Sequence, residues 1–359
     1  MRVTILYSPC GSGHRTAARA VAEALHQHDN VHVDVLDILR FAPRAFRYDL
    51  AWQQIQQRGA RIWDALFDLS DAPHPLWHAA RERLNVQLFA PLAKELERLQ
   101  PDRIVCTHFL PAVAVAYLRR TRRISARTST IITDYLAHQA WLCPGIERYY
   151  VATPAVAEQL LARGVAGVEL SGMPIAATMD ESPTPPPGSG RVLFLAAGVP
   201  RTLVRDALVA IPAHVPLDIV AGTDDALRAE LAAATRSRRA TVHGFLPGLR
   251  DAIDRADVVV TKAGGLIVSE CLARGRAMVL PYPAPGQERG NRDHAIAAGA
   301  ARACTPSETG RTLAVIDAIA MGHAAERAAR RGAATRIAAD LLAGQVVVPT
   351  RARKVRREG

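Results

Sequence analysis

Short apolar runs alternate with helical stripes along most of the chain. Val3-Thr4-Ile5-Leu6-Tyr7 reads as a buried strand, and Ser8 to His14 then turns the chain. The next segment keeps Ala17, Val21 and Leu25 on one stripe with Ala18 and Ala22 beside it, the spacing of a helix with one buried face. Val31 to Leu36 gives the following strand. Phe41 to Leu99 departs from this rhythm: it is a long, mostly helical insert with Tyr48, Trp52, Ile55, Trp63, Leu66, Phe67, Trp77 and Leu84 as its apolar residues. Strands resume at Asp102 to Thr107, Ser129 to Tyr135 and Tyr149 to Ala152, with an alanine- and valine-rich helix after His108-Phe109-Leu110-Pro111 and another from Pro154 to Leu161. A second series follows at Val192 to Ala196, Leu217 to Ala221, Ala240 to Phe245, Val258 to Val260 and Met278 to Leu280, each followed by a helical or turn segment. This alternation predicts an α/β protein of parallel sheets with helices on both faces. Alanine-rich helical segments, Leu313 to Met321 and Ala324 to Leu342, are expected to pack across the domain boundary.

The clearest break lies at Glu181 to Gly190, ESPTPPPGSG, where proline and glycine preclude a regular element. It is expected to link an N-terminal domain, residues 1–180, to a C-terminal domain, residues 191–345, with a basic tail at 346–359. A chain of 359 residues with 49% hydrophobic content can fill two such cores. The net charge of +11 favours anionic partners. Its basic residues are spread along the chain without an aromatic-interleaved patch, which argues against nucleic acid. The tail, with Arg351, Arg353, Lys354, Arg356 and Arg357, reads as solvated or as drawn to anionic lipid. Five cysteines without a C-x-x-C pair indicate neither a disulfide framework nor a zinc site. Met1 runs directly into the first strand and no apolar run approaches the ~20 residues of a membrane span, so a cytoplasmic chain with at most peripheral membrane contact is expected.

Candidate chemistry concentrates between Asp257 and Asn291. A strand ends at Thr261-Lys262-Ala263-Gly264-Gly265, and a helix begins with Leu266. Two adjacent glycines at a helix N-terminus let an anion approach unpaired backbone amides, where the helix dipole favours a diphosphate and Lys262 offsets its charge. Glu270, one turn further in, is placed to accept hydrogen bonds from a diol such as a ribose. After the next strand, the polar loop Gly286-Gln287-Glu288-Arg289-Gly290-Asn291 offers mixed donors and acceptors of the kind sugar hydroxyls need. Near the N-terminus, Gly11, Gly13 and Ala17 also fit a dinucleotide fingerprint, with Asp34 or Asp37 as the ribose acid.

The ordered set Lys262-Ala263-Gly264-Gly265, Ser269-Glu270 and Gly286-Gln287-Glu288-x-x-Asn291 resembles the nucleotide-sugar site of glycosyltransferase family 28. That family includes the monogalactosyldiacylglycerol synthases and the processive diacylglycerol glucosyltransferases. The resemblance implies a GT-B fold, two Rossmann-like domains facing each other across a cleft. It also implies a UDP-sugar donor in the C-terminal domain and a lipid or other hydroxyl acceptor in the N-terminal one. Gly13-His14 matches the end of the family's first loop, so His14 is the implied general base or acceptor-orienting residue. Thr133-Asp134-x-x-x-His138-x-x-Trp141 matches the lipid-glycosyltransferase members and puts Asp134, His138 and Trp141 on the acceptor side, where Asp134 and His138 could share one face of a helical turn. Gly244-Phe245 corresponds to the loop around the uracil ring; Phe245 could equally be a core residue. Gly264, Gly265, Leu266 and Ser269 complete the implied donor contacts. The family's glycine-rich loop after the first C-terminal strand is reduced here to Ala196-Ala197-Gly198-Val199-Pro200. The expected activity is inverting hexosyl transfer from the UDP-sugar with neither metal nor cofactor. A UDP-sugar-binding homologue of weak activity and an NAD-dependent oxidoreductase are the alternatives.

Overall fold

The computed structural model describes residues 1–9, 11–43, 46, 60–72 and 75–343. Tyr48, Trp52, Ile55, the Trp77 side chain and the basic tail lie outside the described residues. The N-terminal half runs β1 (Arg2–Tyr7), α1 (Ser12–Leu25), β2 (His32–Asp37), then the insert helices α2 (Ala60–Ser70), α3 (Pro75–Leu88) and α4 (Ala90–Leu99). It continues with β3 (Arg103–Cys106), α5 (Phe109–Arg120), β4 (Arg127–Ile131), β5 (Arg148–Val151), α6 (Pro154–Ala162), β6 (Val168–Leu170) and the short α7 (Ala177–Asp180). The C-terminal half begins with β7 (Val192–Leu195), α8 (Arg201–Ala210), β8 (Leu217–Val220), α9 (Asp225–Ala234), β9 (Ala240–His243), α10 (Arg250–Asp254) and β10 (Val258–Val260). It ends with α11 (Gly265–Ala273), β11 (Ala277–Leu280), α12 (Gln287–Ala297), β12 (Ala301–Ala303), α13 (Thr309–Val315), α14 (Ala318–Ala328) and α15 (Ala333–Leu342).

These strands make two six-stranded sheets, ordered β2-β1-β3-β4-β5-β6 and β12-β11-β10-β7-β8-β9, and every pairing is parallel. Strand order reverses beside β1 in the first sheet and beside β7 in the second. Crevices open at such reversals, outside the carboxyl ends of the strands. The segments after β1, β3 and β4 confront those after β10 and β11.

Two contacts fix how the halves are joined. α15 returns to the N-terminal sheet, where Ile337, Ala338 and Leu341 are buried with Val3, Ile5, Val21 and Leu25. Asp340 takes both Arg148 nitrogens, at 3.0 and 2.8 Å, and the Tyr150 hydroxyl at 2.7 Å. The segment between the sheets is pinned by two fully buried arginines. Arg274 bonds Asp254 and the Glu181 and Ser182 carbonyls, and Arg276 bonds the Thr184, Ile253 and Asp254 carbonyls.

Three local expectations need correction. The polar stretch Gly286–Asn291 is not a loop: Gly286 caps α12, and Gln287, Glu288 and Asn291 lie in its first turns. The segment Leu313–Met321 is broken, because Asp317 accepts from the Ile319 and Ala320 amides and so starts a new helix. Residues 134–138 form a bend and not a helical turn.

Candidate functional site

A cavity of about 330 Å³ lies where the two sets of strand ends meet. His14 reaches it from the first turn of α1. Its Nδ1 is 2.7 Å from the Thr107 carbonyl, which can only accept, so Nδ1 carries the proton and Nε2 keeps a lone pair. The Thr133 hydroxyl stands 3.0 Å from the same Nδ1, and Thr107 Oγ1 donates to the His14 carbonyl at 2.9 Å. Burial pushes the imidazole down to about 4, so the ring is neutral at ordinary pH. His108 sits edge-on to it at 4.5 Å and is also held well below the usual imidazole range, by burial first and the neighbouring histidine second. No sequence motif marked His108; it enters because β3 lies next to β1, so the loops that end the two strands are neighbours.

On the opposite wall, Gly264 caps α11 and Gly265 is its first residue. A Cβ on Gly265 would stand 2.2 Å from the Thr133 carbonyl, so glycine is what permits the halves to touch. Gly13 faces the same contact, its missing Cβ 3.2 Å from Leu266. Lys262 is paired with Glu288 at 2.7 Å. Asn291, fully buried, accepts from the Tyr135 amide at 2.8 Å and donates to the Ala263 carbonyl at 3.0 Å and to Asp134 at 3.3 Å. Its amide is spent on joining the halves, where the sequence suggested a sugar contact. Asp134 is buried and lines the cavity. Desolvation, with a small addition from Glu288, pushes its carboxyl up to about 7 against the opposing Asn291 bond.

Helix α2 crosses from the insert to this wall. Trp63 Nε1 donates to Gln287 Oε1 at 3.2 Å, Asp64 accepts from the Gly286 amide at 2.8 Å, and Asp68 pairs with Arg289. The Phe67 ring lies against His138, 4.0 Å between centroids and tilted by 31°. His138 has both nitrogens occupied: Nε2 donates to the Phe67 carbonyl at 2.9 Å and Nδ1 accepts from the Ala140 amide at 3.0 Å. It therefore lines the cavity as a pin for α2, and Asp134 is not its partner. Trp141, buried, closes the floor with Phe109, whose ring lies 6.1 Å away and edge-on. Sequence reasoning read the aromatics of the insert, Trp63 and Phe67 among them, either as packing onto the sheet edge or as an acceptor or membrane surface, and passed over Arg81; all three line the cavity.

The structure does not bring four of the expected donor residues into this wall. Ser269 donates to the Gly265 carbonyl and meets the Tyr135 hydroxyl at 2.7 Å, which again joins the halves. Glu270 is half-buried one turn beyond Leu266 on the same side of α11. Desolvation pushes its carboxyl up to about 7, and it has no side-chain partner among the described residues. Gly244 and Phe245 follow β9, and the Phe245 ring is 58% exposed, so it is no core residue. As for the dinucleotide alternative, Asp34 lies mid-strand against Arg2 at 3.0 Å and Asp37 accepts from the Leu39 amide, so neither is offered to a ribose.

The family described as monogalactosyldiacylglycerol synthase matches residues 14–175. A processive diacylglycerol β-glucosyltransferase of Bacillus subtilis is 30% identical over 58% of this chain and 59% of its own length. That of Bacillus cytotoxicus is 24% identical over 84% of this chain and 81% of its own. The chain thus spans about three-fifths of the first relative and four-fifths of the second. Among solved structures, a calicheamicin glycosyltransferase superposes with a TM-score of 0.63 at 13% identity, covering 96% of this chain and 99% of that one. A UDP-complexed glycosyltransferase of Arabidopsis thaliana gives 0.59 at 13% identity, with 95% and 99% covered. The fold is GT-B, and these relatives and neighbours are glycosyltransferases.

Proposed function

We propose that this chain, which resembles the monogalactosyldiacylglycerol synthases over residues 14–175 and the processive diacylglycerol glucosyltransferases at up to 30% identity, transfers a hexose from a UDP-sugar to a hydroxyl. The carrying observation is a neutral imidazole, its tautomer set by Thr107, in one cavity with a glycine-capped helix N-terminus and Lys262. In this reading the diphosphate lies on the Gly264 and Gly265 amides, Glu270 takes the ribose diol, and Phe245 stands beside the base. Gln287 and Glu288 meet the sugar. The acceptor hydroxyl approaches His14 Nε2, which takes its proton as the oxygen attacks the anomeric carbon from the face opposite UDP, inverting it. The departing charge is met by the helix amides and Lys262, so the reading requires no metal ion. A glycerolipid acceptor suits the apolar walls Phe67, Phe109 and Trp141, and the relatives' names support it. No helix among the described residues is long and apolar enough to cross a membrane. Contact with a lipid surface would run through exposed Leu66, Leu69 and Leu84 of the insert.

Thermal-shift titration with UDP and with NAD, followed by UDP release from UDP-glucose, UDP-galactose and UDP-N-acetylglucosamine, tests the reading. Stabilisation by UDP together with acceptor-dependent release is expected; stabilisation by NAD alone overturns it. Binding of UDP without turnover would favour the weakly active or inactive homologue, which the glycine-depleted loop at Ala196–Pro200 motivates.

A further inference from the structure

Two cations line the cavity among the described residues, Lys262 and Arg81. Lys262 has its carboxylate in Glu288. Arg81 has none: among the described residues its guanidinium makes one hydrogen bond, from Nη1 to the Ala140 carbonyl at 3.3 Å, while its Nε is buried without a partner. Of the carboxylates at hand, Asp134 in the same cavity is bonded by the Asn291 amide and pushed by burial towards its neutral form, and two others are already committed. Glu82 takes Arg120 through both oxygens, at 2.9 and 2.8 Å, and Asp71 takes Arg163 at 2.7 and 2.9 Å. A guanidinium left uncompensated beside a part-buried, largely apolar chamber is costly unless an anion arrives with the ligand. Its planar fork suits the two oxygens of a phosphate or carboxylate.

We propose that the acceptor carries such an oxyanion, seated on Arg81 while its hydroxyl meets His14 Nε2. The inference rests on the transferase reading and narrows its acceptor class, since diacylglycerol offers Arg81 only neutral ester and hydroxyl oxygens and no anion to pair its charge. Arg81 holds the Ala140 carbonyl beside His138 and Trp141, on the acceptor wall and across from the α11 N-terminus, so the donor diphosphate is not its ligand. In the step itself the acceptor oxygen forms the new bond to the anomeric carbon and its proton passes to His14. The bond from that carbon to the phosphate oxygen breaks, and UDP leaves with the electron pair.

The test compares UDP release with three acceptors. Dioleoylglycerol and dioleoylphosphatidylglycerol are each presented in vesicles of phosphatidylmethanol, which fixes surface charge without offering a hydroxyl; glycerol 3-phosphate is given in solution. Wild type, Arg81→Ala and Arg81→Lys are assayed, with UDP affinity as the control for folding. The expected result is a kcat/KM for an anionic acceptor at least tenfold above that for dioleoylglycerol. Arg81→Ala should shrink that ratio by roughly tenfold or more, Arg81→Lys should restore part of it, and UDP affinity should be unchanged in both. Preference for the lipid or the soluble anion identifies the source. An equal or greater rate with dioleoylglycerol, or a ratio indifferent to Arg81→Ala, overturns this inference and leaves sugar transfer standing. Absence of UDP binding and of release with every acceptor overturns the transferase reading and this inference with it.

Discussion

At the scale of single residues, two titratable groups at the cavity, His14 and Asp134, are shifted in opposite directions, and each shift has a consequence. His14 is held near 4, below its unfolded value, so its neutral burial contributes stability above about pH 6.5 that is lost as pH falls towards 4. If its lone pair takes the acceptor proton, the acid limb of kcat/KM should fall near pH 4 to 5 and not near 6.5. His14→Ala should lower turnover by about 10² to 10⁴ while sparing UDP affinity, and a turnover assay paired with UDP titration checks both. Asp134 is raised from 3.8 to about 7, so the stability that goes with its protonated form is present below pH 4 and lost as pH rises through 7. Asp134→Asn keeps an acceptor for the Asn291 amide and removes the charge. It should stabilise the fold at pH 8 by at most about 4 kcal/mol, from three pK units, and scarcely at pH 4, so the melting temperature should rise at the higher pH only. His14 was legible because a glycine turn after a strand puts the next side chains at a sheet's carboxyl edge. Neither pKa shift was, since both arise from burial beneath elements brought in from distant sequence, against the opposing bonds of Thr107 and Asn291.

At the scale of elements, strand and helix existence followed the hydrophobic period closely, because parallel strands buried on both faces leave uninterrupted apolar runs. The start of α12 did not, because Gly286 to Asn291 has the polar, glycine-rich composition of a turn and becomes helical where α2 and Tyr135 hold it. The course of α2 was equally hidden, since amphipathic spacing shows that a helix has a buried face and not what it is buried against. That docking can be tested at Gly286, which has φ near 58° and whose Cβ would lie 2.4 Å from Trp63 Nε1. Gly286→Ala should expel α2 from the cavity. Hydrogen exchange should then quicken across residues 60–70 while β1 and β10 stay protected; unchanged exchange in α2 would show that the contact holds it little.

At the scale of the molecule, the composition shift at Glu181 to Gly190 coincides with the chain's passage between the sheets, as proline and glycine make visible. The crossing of α15 to the first sheet was expected of the alanine-rich segment Ala324 to Leu342, whereas the folding back of the linker was not visible, because it depends on the buried Arg274 and Arg276. At one close approach the Thr133 carbonyl lies against Gly265, and the Thr133 hydroxyl also touches His14 Nδ1 at 3.0 Å. One residue thus couples the seating of the halves to the position of the imidazole. Gly265→Ala places a methyl where 2.2 Å is free, so either the halves part by an ångström or more or Thr133 swings away from His14. Both responses misplace the proton acceptor relative to the donor, and a displacement of that size costs on the order of 10² in rate. Turnover should fall by about that factor, with the melting temperature lowered and a slightly larger radius of gyration by small-angle scattering. Wild-type turnover at an unchanged radius would mean that the seating of the two sheets does not position His14.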